Sequence, residues 1–420
     1  MSEICYCLLI KIRLEFKKMK KIAIFAGYYP PTIGGYPKNV HEIARRLVKR
    51  GYQVDVYTCN VDGSPTQEQV DKVNIFRLPT WNALGGVYPI PKPTLTTIKT
   101  IYRLLRTNYH LFNIQTRFFL ICALGWFLAV IKFKPLIYME RGSVHSVVDN
   151  PLVNLISITY DHLFGLLITQ KAVVNMGVSS ASAQFIKHLG ARNPIVMPNG
   201  IDMALFKDNN NPHTKNPDQP DKDNKTFYQD PKTSHKDTSS THEDKIVITF
   251  IGRIVYAKGA QDLISALKDN KSNFKLLIVG DGPYKEELEK IASEHQSLKG
   301  KIEFLGYKTG KEIPRILKQT DIFVNPSYSE GLPTSVMEAC AAGCATIATD
   351  VGGTNEIILD QITGLLYTPH DCQELQEKLN YLIENPTLRK KYAHKAQSYV
   401  EKEFSWDKIT NKWIGLIENV

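Results

Sequence analysis

Short apolar runs alternate with amphipathic helical patterns along most of the chain. In the first half these runs predict strands at residues 22–26, 53–58, 73–78, 111–115, 136–138, 173–178 and 194–197, with helices between them. Strands that alternate with helices are typical of βαβ units with parallel sheets. A turn at residues 198–202 follows the last of these strands, and we expect a first domain over residues 19–206.

Residues 207–244 interrupt this pattern. They are rich in Asn, Asp, Lys, Ser and Thr and contain four prolines, while Phe227 and Tyr228 are the only large apolar residues. So little apolar surface cannot repay the entropy of ordering, and we expect a disordered insertion or linker. The sequon at Asn224 is interpreted as a chance match in a cytoplasmic chain.

A second strand series begins at Lys245. Its strands are predicted at residues 246–252, 274–279, 302–305, 322–324 and 345–348, within a domain at 245–404. The fold class is therefore α/β, with two Rossmann-like domains and a ligand expected at the carboxyl ends of the strands. Residues 1–18 precede the first strand and are taken as an N-terminal extension outside both domains.

Composition places the chain in a reducing compartment. Its 420 residues exceed the size of one core, and the seven cysteines form neither a paired framework nor a metal-binding pattern. Cys340 and Cys344 belong to a small-residue stripe at helical spacing, which predicts core packing. We find no secretory signal, so a cytoplasmic protein is expected, on the inner face of a membrane if it contacts one.

Positive charge is concentrated in the first half of the chain. Residues 1–206 contain 24 Lys and Arg against 11 Asp and Glu, a net charge of +13 where the whole chain has +10. Such a field suits an anionic membrane, a lipid-linked diphosphate or nucleic acid, although a merely soluble basic domain would look the same. The apolar run at 118–131 is too short to span a bilayer and predicts a buried or membrane-contacting helix.

The strongest chemical signal is a pair of glutamates, Glu330 and Glu338, on either side of a predicted helix start. Pro333 suits the first helical turn, and the free amides near Thr334 would point at an anion. A helix through all these residues would separate the two glutamate backbones by about 12 Å, too far for a glycosidase pair. They are therefore expected to contact different parts of a long, hydroxyl-rich ligand.

Two cations lie upstream of the glutamates. Arg253 follows Gly252 at the end of a predicted strand, and Lys258 precedes the next helix. Cations on either side of a loop can hold a diphosphate and stabilise it as a leaving group without a protein nucleophile.

These motifs resemble the donor domain of the retaining glycosyltransferase family 4, which has the GT-B fold. The resemblance implies that Glu330 faces the donor sugar, that Glu338 holds the ribose, and that Arg253 and Lys258 stabilise the diphosphate. It also implies that a last helix at about 405–420 crosses back onto the first domain. The further donor-binding residues expected on this basis are Gly34, Gly35, Gly306, Tyr307, Gly331, Leu332, Pro333 and Thr334.

One position departs from the family. Many relatives have a histidine after the fourth or fifth strand of the first domain, where this chain has Arg141. Arginine stays protonated and cannot shuttle a proton, but it could bind a phosphate or a sugar hydroxyl. Arg141 is therefore a candidate substrate contact.

The sequence thus predicts a hexosyl- or aminohexosyltransferase that uses a UDP- or GDP-linked sugar and a lipid-linked, polysaccharide or glycolipid acceptor. Two cations already hold the diphosphate, so no metal is expected to be essential, and no nucleic-acid partner is expected. Two alternatives stay open: a transferase for a small soluble acceptor, and an inactive regulatory subunit that binds sugar nucleotides.

Overall fold

The computed structural model describes residues 20–83, 88–145, 151–206, 245–310 and 312–420. The predicted N-terminal extension, the predicted insertion at 207–244 and its sequon lie outside the described residues. The chain divides into two units, one of Met1–Gly200 with Trp406–Val420 and the other of Ile201–Ser405.

The first unit is built on a nine-stranded sheet in the order β3-β4-β2-β1-β6-β7-β8-β9, with β5 paired to β4. Strand β1 lies in the middle and runs parallel to β2 and β6, with Ile22 opposite both Val54 and Leu111. The strands are β1 Lys21–Ala26, β2 Gln53–Asn60, β3 Gln67–Val70, β4 Val73–Ala83, β5 Tyr88–Pro91, β6 Leu111–Gln115, β7 Leu136–Glu140, β8 Val174–Gly177 and β9 Ile195–Val196.

All seven strands predicted for the first half form, and two further strands do not follow from the apolar pattern. Strand β3 is polar and largely exposed, and β5 contains two prolines. Both pair antiparallel to β4, outside the parallel βαβ series. A strand that pairs along one edge only can be polar or contain proline, so its sequence carries little apolar signal.

Six helices belong to the described part of the first unit. They are α1 Gly35–Lys49, α2 Leu95–Arg106, α3 Leu120–Ile131, α4 Pro151–Lys171, α5 Ser180–His188 and, from the end of the chain, α13 Trp406–Glu418. Helix α3 forms within the predicted apolar run, with Ile121, Cys122 and Leu128 buried. Within the described parts of the chain, no helix is both long enough and apolar enough to cross a bilayer.

The second unit contains a parallel six-stranded sheet in the order β12-β11-β10-β13-β14-β15. Its strands are β10 Ile246–Ile251, β11 Phe274–Val279, β12 Ile302–Gly306, β13 Ile322–Asn325, β14 Ala345–Thr349 and β15 Leu365–Tyr367. The five predicted strands form, and β15 is additional. The strand order reverses between β10 and β13, and the carboxyl ends at such a switch point are where open α/β sheets bind ligands.

The helices of the second unit cover both faces of this sheet. They are α6 Ala260–Leu267, α7 Lys285–Glu294, α8 Glu312–Lys318, α9 Thr334–Ala342, α10 Thr354–Ile357, α11 Cys372–Glu384 and α12 Pro386–Phe404. Cys340 and Cys344 are buried, in agreement with the small-residue stripe.

The division between the units lies earlier than the predicted end at residue 206. Residues from Ile201 onward belong to the second unit. There the Ile201 amide donates to the Phe404 carbonyl at 2.8 Å, and Met203 and Phe206 are buried. The first domain is predicted to end at residue 206, but these contacts place residues 201–206 in the second unit.

Candidate functional site

The candidate site in the second unit begins with the loop after β10. Gly252 and Arg253 follow the strand, and Arg253 is exposed. This loop lies against the turn after β11, because a Cβ atom on Gly280 would approach the Gly252 carbonyl oxygen to 1.8 Å. Gly280 has φ of 144°, a conformation that glycine adopts easily. The Gly280–Asp281–Gly282 turn therefore packs directly against the backbone of the Arg253 loop.

The end of strand β12 is hydrogen-bonded to the same turn. The Gly280 amide donates to the Gly306 carbonyl at 2.9 Å, and Gly306 itself has φ of 66°. Tyr307 follows, with its side chain 42% exposed. The structure thus brings Gly306 and Tyr307 to the turn that holds Arg253.

Lys258 ends a 3₁₀ turn, Tyr256–Lys258, that is fixed to the loop after β13. The Tyr328 amide donates to the Ala257 carbonyl at 2.9 Å. Gly259 has φ of 68°, and a Cβ atom there would lie 1.9 Å from the Pro326 carbonyl oxygen. Because only glycine permits this approach, the Lys258 turn and the loop that leads to Glu330 have a fixed spacing.

Lys258 and Glu330 form an ion pair. The ammonium group donates to Glu330 Oε1 at 2.5 Å, and the two side chains are 28% and 13% exposed. Sequence motifs suggested both residues but gave no sign that they touch. In this arrangement the Lys258 ammonium group is held at the carboxylate of Glu330, four residues before α9 begins at Thr334.

A glycine-containing loop after β14 packs against the backbone at Glu330. Gly352 has φ of 57°, and a Cβ atom there would lie 1.7 Å from the Glu330 carbonyl oxygen. The Gly353 amide donates to the Gly331 carbonyl at 2.9 Å. The motifs in the sequence did not predict that these two glycines pack on the Glu330 backbone.

Helix α9 begins at Thr334, one residue later than predicted. Pro333 is its N-cap and offers no side-chain hydrogen bond to the first turn. The first amides of a helix have no partner within the helix, and its dipole places partial positive charge there. Leu332 is buried beside this end, and Glu338 lies one turn into the helix with 9% exposure. This end of α9 can therefore bind an anion between the two glutamates.

The first unit holds a second group of candidate residues, around Arg141. Its guanidinium donates to Gln115 Oε1 at 2.9 and 2.7 Å and to Asn199 Oδ1 at 2.8 Å, and lies over the Tyr36 ring at 5.4 Å. These side-chain partners are all neutral, and they occupy three of the five guanidinium N–H groups. Burial lowers the pKa of Arg141 to about 10, so it remains protonated at neutral pH.

Gly34 and Gly35 lie close to this group through Tyr36. Gly34 is the N-cap of α1 with φ of 143°, and Gly35 is the first residue of that helix. The Tyr36 hydroxyl donates to the Gln115 carbonyl and accepts from the Gly27 amide, both at 3.1 Å. The start of α1 is therefore tied to the ends of β1 and β6.

A buried network fixes the backbone at Arg141, and sequence reasoning missed it. Glu140 accepts from the Arg141 and Gly142 amides at 2.8 Å and from Arg117 at 2.7 Å. Arg117 also donates to the buried Asp161 at 2.7 Å. Burial alone would raise the pKa of Glu140. The Arg117 charge and the hydrogen bonds from Tyr138 and Gly142 outweigh this effect, and the pKa lies below its usual value.

Comparison with known proteins gives the family. Residues 33–205 match the model described as Glycosyltransferase Family 4, and residues 231–399 match Glycosyl transferases group 1. The second match begins inside the predicted insertion, and residues 206–230 lie outside both matches.

Similar proteins cover nearly the whole chain. An uncharacterized glycosyltransferase of Methanocaldococcus jannaschii is 27% identical over 412 residues, which are 95% of this chain and 98% of the relative. One of the subunits of phosphatidylinositol N-acetylglucosaminyltransferase of Arabidopsis thaliana is 23% identical over 399 residues, 93% and 80% of the two chains.

A solved structure shows the same fold. The crystal structure of Anabaena Alr3699/HepE in complex with UDP has a TM-score of 0.72 at 19% identity, and the match covers 96% of this chain and 100% of that one. Together the family models, the relatives and the fold show that this chain is a glycosyltransferase of family 4 with the GT-B fold.

Proposed function

We propose that this protein is a retaining glycosyltransferase that moves a sugar from a UDP- or GDP-linked donor to a glycolipid or polysaccharide acceptor. The observation that carries the proposal is the Lys258–Glu330 pair beside the uncapped start of helix α9. A diphosphate needs positive charge and free amides, and its sugar needs carboxylate acceptors. In this proposal Lys258 supplies the charge, the start of α9 supplies the amides, and Glu330 supplies the carboxylate. The UDP in the Anabaena HepE structure supports the same donor class.

Arg253 and Lys258 would neutralise the departing diphosphate. The amides at the start of α9, near Thr334, would bind phosphate oxygens, with residues 331–333 forming the approach to the helix. Preorganised charges of this kind stabilise the leaving group without rearranging during the reaction. Two cations and a helix end suffice for this role, so an essential metal is not part of the proposal.

The two glutamates would hold the hydroxyl groups of the donor. Glu330 would accept from the sugar, and Glu338 from the ribose, with Gly306 and Tyr307 lining the base pocket. When phosphate oxygens take up the hydrogen bonds of Lys258, the Glu330 carboxylate becomes available to the sugar. Binding of the donor would therefore replace the Lys258–Glu330 ion pair by a Lys258–phosphate contact and a Glu330–sugar contact.

Retention follows if the acceptor attacks the face that the diphosphate leaves. The departing phosphate would take the acceptor proton, so no covalent nucleophile is needed. Arg141 cannot accept a proton, because it stays charged at neutral pH. Its role in the proposal is to bind an anionic or hydroxyl group of substrate, with Gly34 and Gly35 allowing close approach of the backbone.

Release of nucleoside diphosphate tests this function. Wild-type protein is incubated with UDP-glucose, UDP-N-acetylglucosamine or GDP-mannose and a membrane lipid extract, beside Glu330→Gln. We expect release from one donor, at least about 100-fold slower in the variant because a transition-state contact is lost. Proton NMR of the product should show the anomeric configuration of the donor. An inverted product contradicts retention, and binding without any turnover favours a regulatory subunit.

The acceptor proposal rests on helix α2 of the first unit. Its Leu95, Ile98, Tyr102 and Leu105 lie on one face at helical spacing and are 47–76% exposed. Lys99 and Arg106 are exposed beside them. An apolar face flanked by cations is typical of helices that lie in an anionic membrane surface. The name of the Arabidopsis relative, which refers to phosphatidylinositol, is consistent with a lipid acceptor.

Sedimentation with vesicles tests this surface. Wild-type protein should sediment with phosphatidylserine-containing vesicles at low salt, and an Ile98→Ser, Tyr102→Ser variant should stay in solution. The matched control is Ile362→Ser, Tyr381→Ser, which changes two residues of the second unit that are about equally exposed. If wild-type protein does not sediment at low salt, a small soluble acceptor becomes the better proposal.

A further inference from the structure

Three histidines converge on the surface of the first unit. His145 follows β7, His162 lies on α4 and His188 is the last residue of α5. One ring nitrogen of each lies within 4.8 Å of the others. The ring centroids are 5.2 Å apart for His145 and His162, 5.3 Å for His162 and His188, and 6.5 Å for His145 and His188. Three imidazoles from three separate segments thus share one small volume.

The ring of His145 is held in a fixed orientation. Its Nδ1 lies 2.8 Å from Oδ2 of Asp161, a fully buried carboxylate that also accepts from Arg117. The Phe185 ring packs edge-on against it at 5.0 Å. A carboxylate acceptor at Nδ1 keeps the proton on that nitrogen and leaves the lone pair on Nε2. Carboxylate–histidine pairs of this kind orient the ligands of metal sites in proteins.

His162 and His188 are exposed, so their rings can adjust. A tetrahedral zinc ion with Zn–N bonds of about 2.0–2.1 Å separates its nitrogen ligands by about 3.3 Å. The three nitrogen atoms must therefore close by up to about 1.5 Å, which rotation of two surface side chains can supply. The hydrogen-bonded His145 provides the stationary ligand.

We propose that His145, His162 and His188 bind one divalent transition-metal ion of the zinc class. Neutral imidazoles select zinc, cobalt, nickel or copper over magnesium and calcium. Three protein ligands leave the fourth position for water. The site lies in the first unit and is distinct from the proposed donor residues, all of which except Gly34 and Gly35 lie in the second unit.

The ion would connect the segments that carry Arg141. His145 is four residues beyond Arg141, and Asp161 and Arg117 link His145 to Glu140, which holds the Arg141 amide. A bound ion would join the loop after β7 to α4 and α5. The ion would thereby restrict the backbone on which Arg141 is placed.

Metal titration of the full-length, untagged protein tests the site. After treatment with a chelator and dialysis, the protein is titrated with CoCl2 and with ZnCl2. We expect one ion per chain, the visible absorption bands of four-coordinate Co2+, displacement of Co2+ by Zn2+, and no binding of Mg2+. His162→Ala and His188→Ala should each weaken binding at least 10-fold, whereas His295→Ala and His394→Ala in the second unit should leave it unchanged.

Thermal unfolding separates a metal site from simple packing of the rings. Zinc should raise the Tm of wild-type protein but not of the His162 and His188 variants, which should match wild-type protein when metal is absent. The proposal fails if wild-type protein binds no Co2+ or Zn2+, or if the variants bind as well as wild type. UDP and GDP binding is measured on the metal-free protein, so the donor site is tested separately.

Discussion

Several glycines at the candidate donor site permit contacts that no other residue would allow. A Cβ atom on Gly259 or Gly352 would come within 2 Å of a backbone oxygen in the neighbouring loop. Both residues also have positive φ, where L-amino acids with a side chain are strained. The spacing of Lys258 and Glu330 therefore depends on two residues with no chemistry of their own.

Gly352→Ala should disturb this spacing. The new Cβ would lie 1.7 Å from the Glu330 carbonyl oxygen, so backbone movement adds to the strain of positive φ. We expect a loss of about 2–4 kcal/mol in the free energy of unfolding and weaker nucleotide binding. Gly300→Ala is the matched control, because Gly300 also has positive φ but has no atom within 4 Å of the new Cβ. Equal losses in urea denaturation would show that close packing at Gly352 is unimportant.

Glu140 should contribute stability that depends on pH. Its pKa is lowered in the folded protein, so the contribution is complete above the unfolded value of about 4.3 and is lost as pH falls through the folded value. Glu140→Gln should cost about 3 kcal/mol or more at pH 7, because Arg117 loses a buried partner. The difference from wild type should shrink below about pH 4.

Glu303→Gln is the control for this experiment. Glu303 forms an ion pair with Lys275, and both side chains are at least 40% exposed, so its loss should cost less than about 1 kcal/mol. Urea denaturation of the three proteins at several pH values makes the comparison. A difference between wild type and Glu140→Gln that does not change down to pH 3 would contradict the lowered pKa.

At the scale of elements, α13 shows how a distant part of the sequence completes a core. This helix follows the whole second unit but belongs to the first. Trp406, Ile409, Trp413 and Ile417 are buried, and Arg46 of α1 lies over the Trp406 ring at 5.1 Å. Lys20, the residue before β1, pairs with Glu418 at 3.0 Å.

Removing one anchor of α13 should destabilise the first unit. Trp413→Ala should cost about 3–5 kcal/mol, because a large buried ring leaves a cavity. Lys412→Ala on the same helix is exposed and should change stability by less than about 0.5 kcal/mol. Thermal unfolding compares the two variants. A Trp413→Ala protein with the Tm of wild type would mean that α13 is not part of this core.

Elements with strong periodicity were predictable from sequence, and those made by pairing were not. The parallel strands β6 and β11 have the predicted bounds, because both are almost wholly buried and apolar residues outnumber polar ones in each. Strands β3 and β5 depend on antiparallel pairing to β4, which leaves little trace in local composition. Contacts between distant residues leave no local trace either. Motifs identified Lys258 and Glu330 as candidates, but only the three-dimensional structure shows that they form an ion pair. The same holds for the separate network around Glu140 in the first unit.

At the scale of the whole molecule, each unit places its candidate residues at the carboxyl ends of parallel strands. In the second unit these residues follow β10, β12 and β13, and in the first they follow β1 and β7. The strand-and-helix alternation predicted this edge, and the family match supports it. The identities of the base, the sugar and the acceptor depend on pocket shape, which spacing in the sequence does not determine.

Arg253 and Lys258 are proposed to hold a nucleoside diphosphate in the second unit. Calorimetric titration of the full-length protein with UDP, GDP and ADP tests it, with Arg253→Ala plus Lys258→Ala as the variant and Lys275→Ala as the control. We predict micromolar binding of one nucleotide by wild type and control. Two lost charged hydrogen bonds, at about 1.5–3 kcal/mol each, should weaken binding by the double variant at least about 100-fold. Binding of no nucleotide by wild type, or equal binding by the double variant, would show that Arg253 and Lys258 do not hold a nucleoside diphosphate.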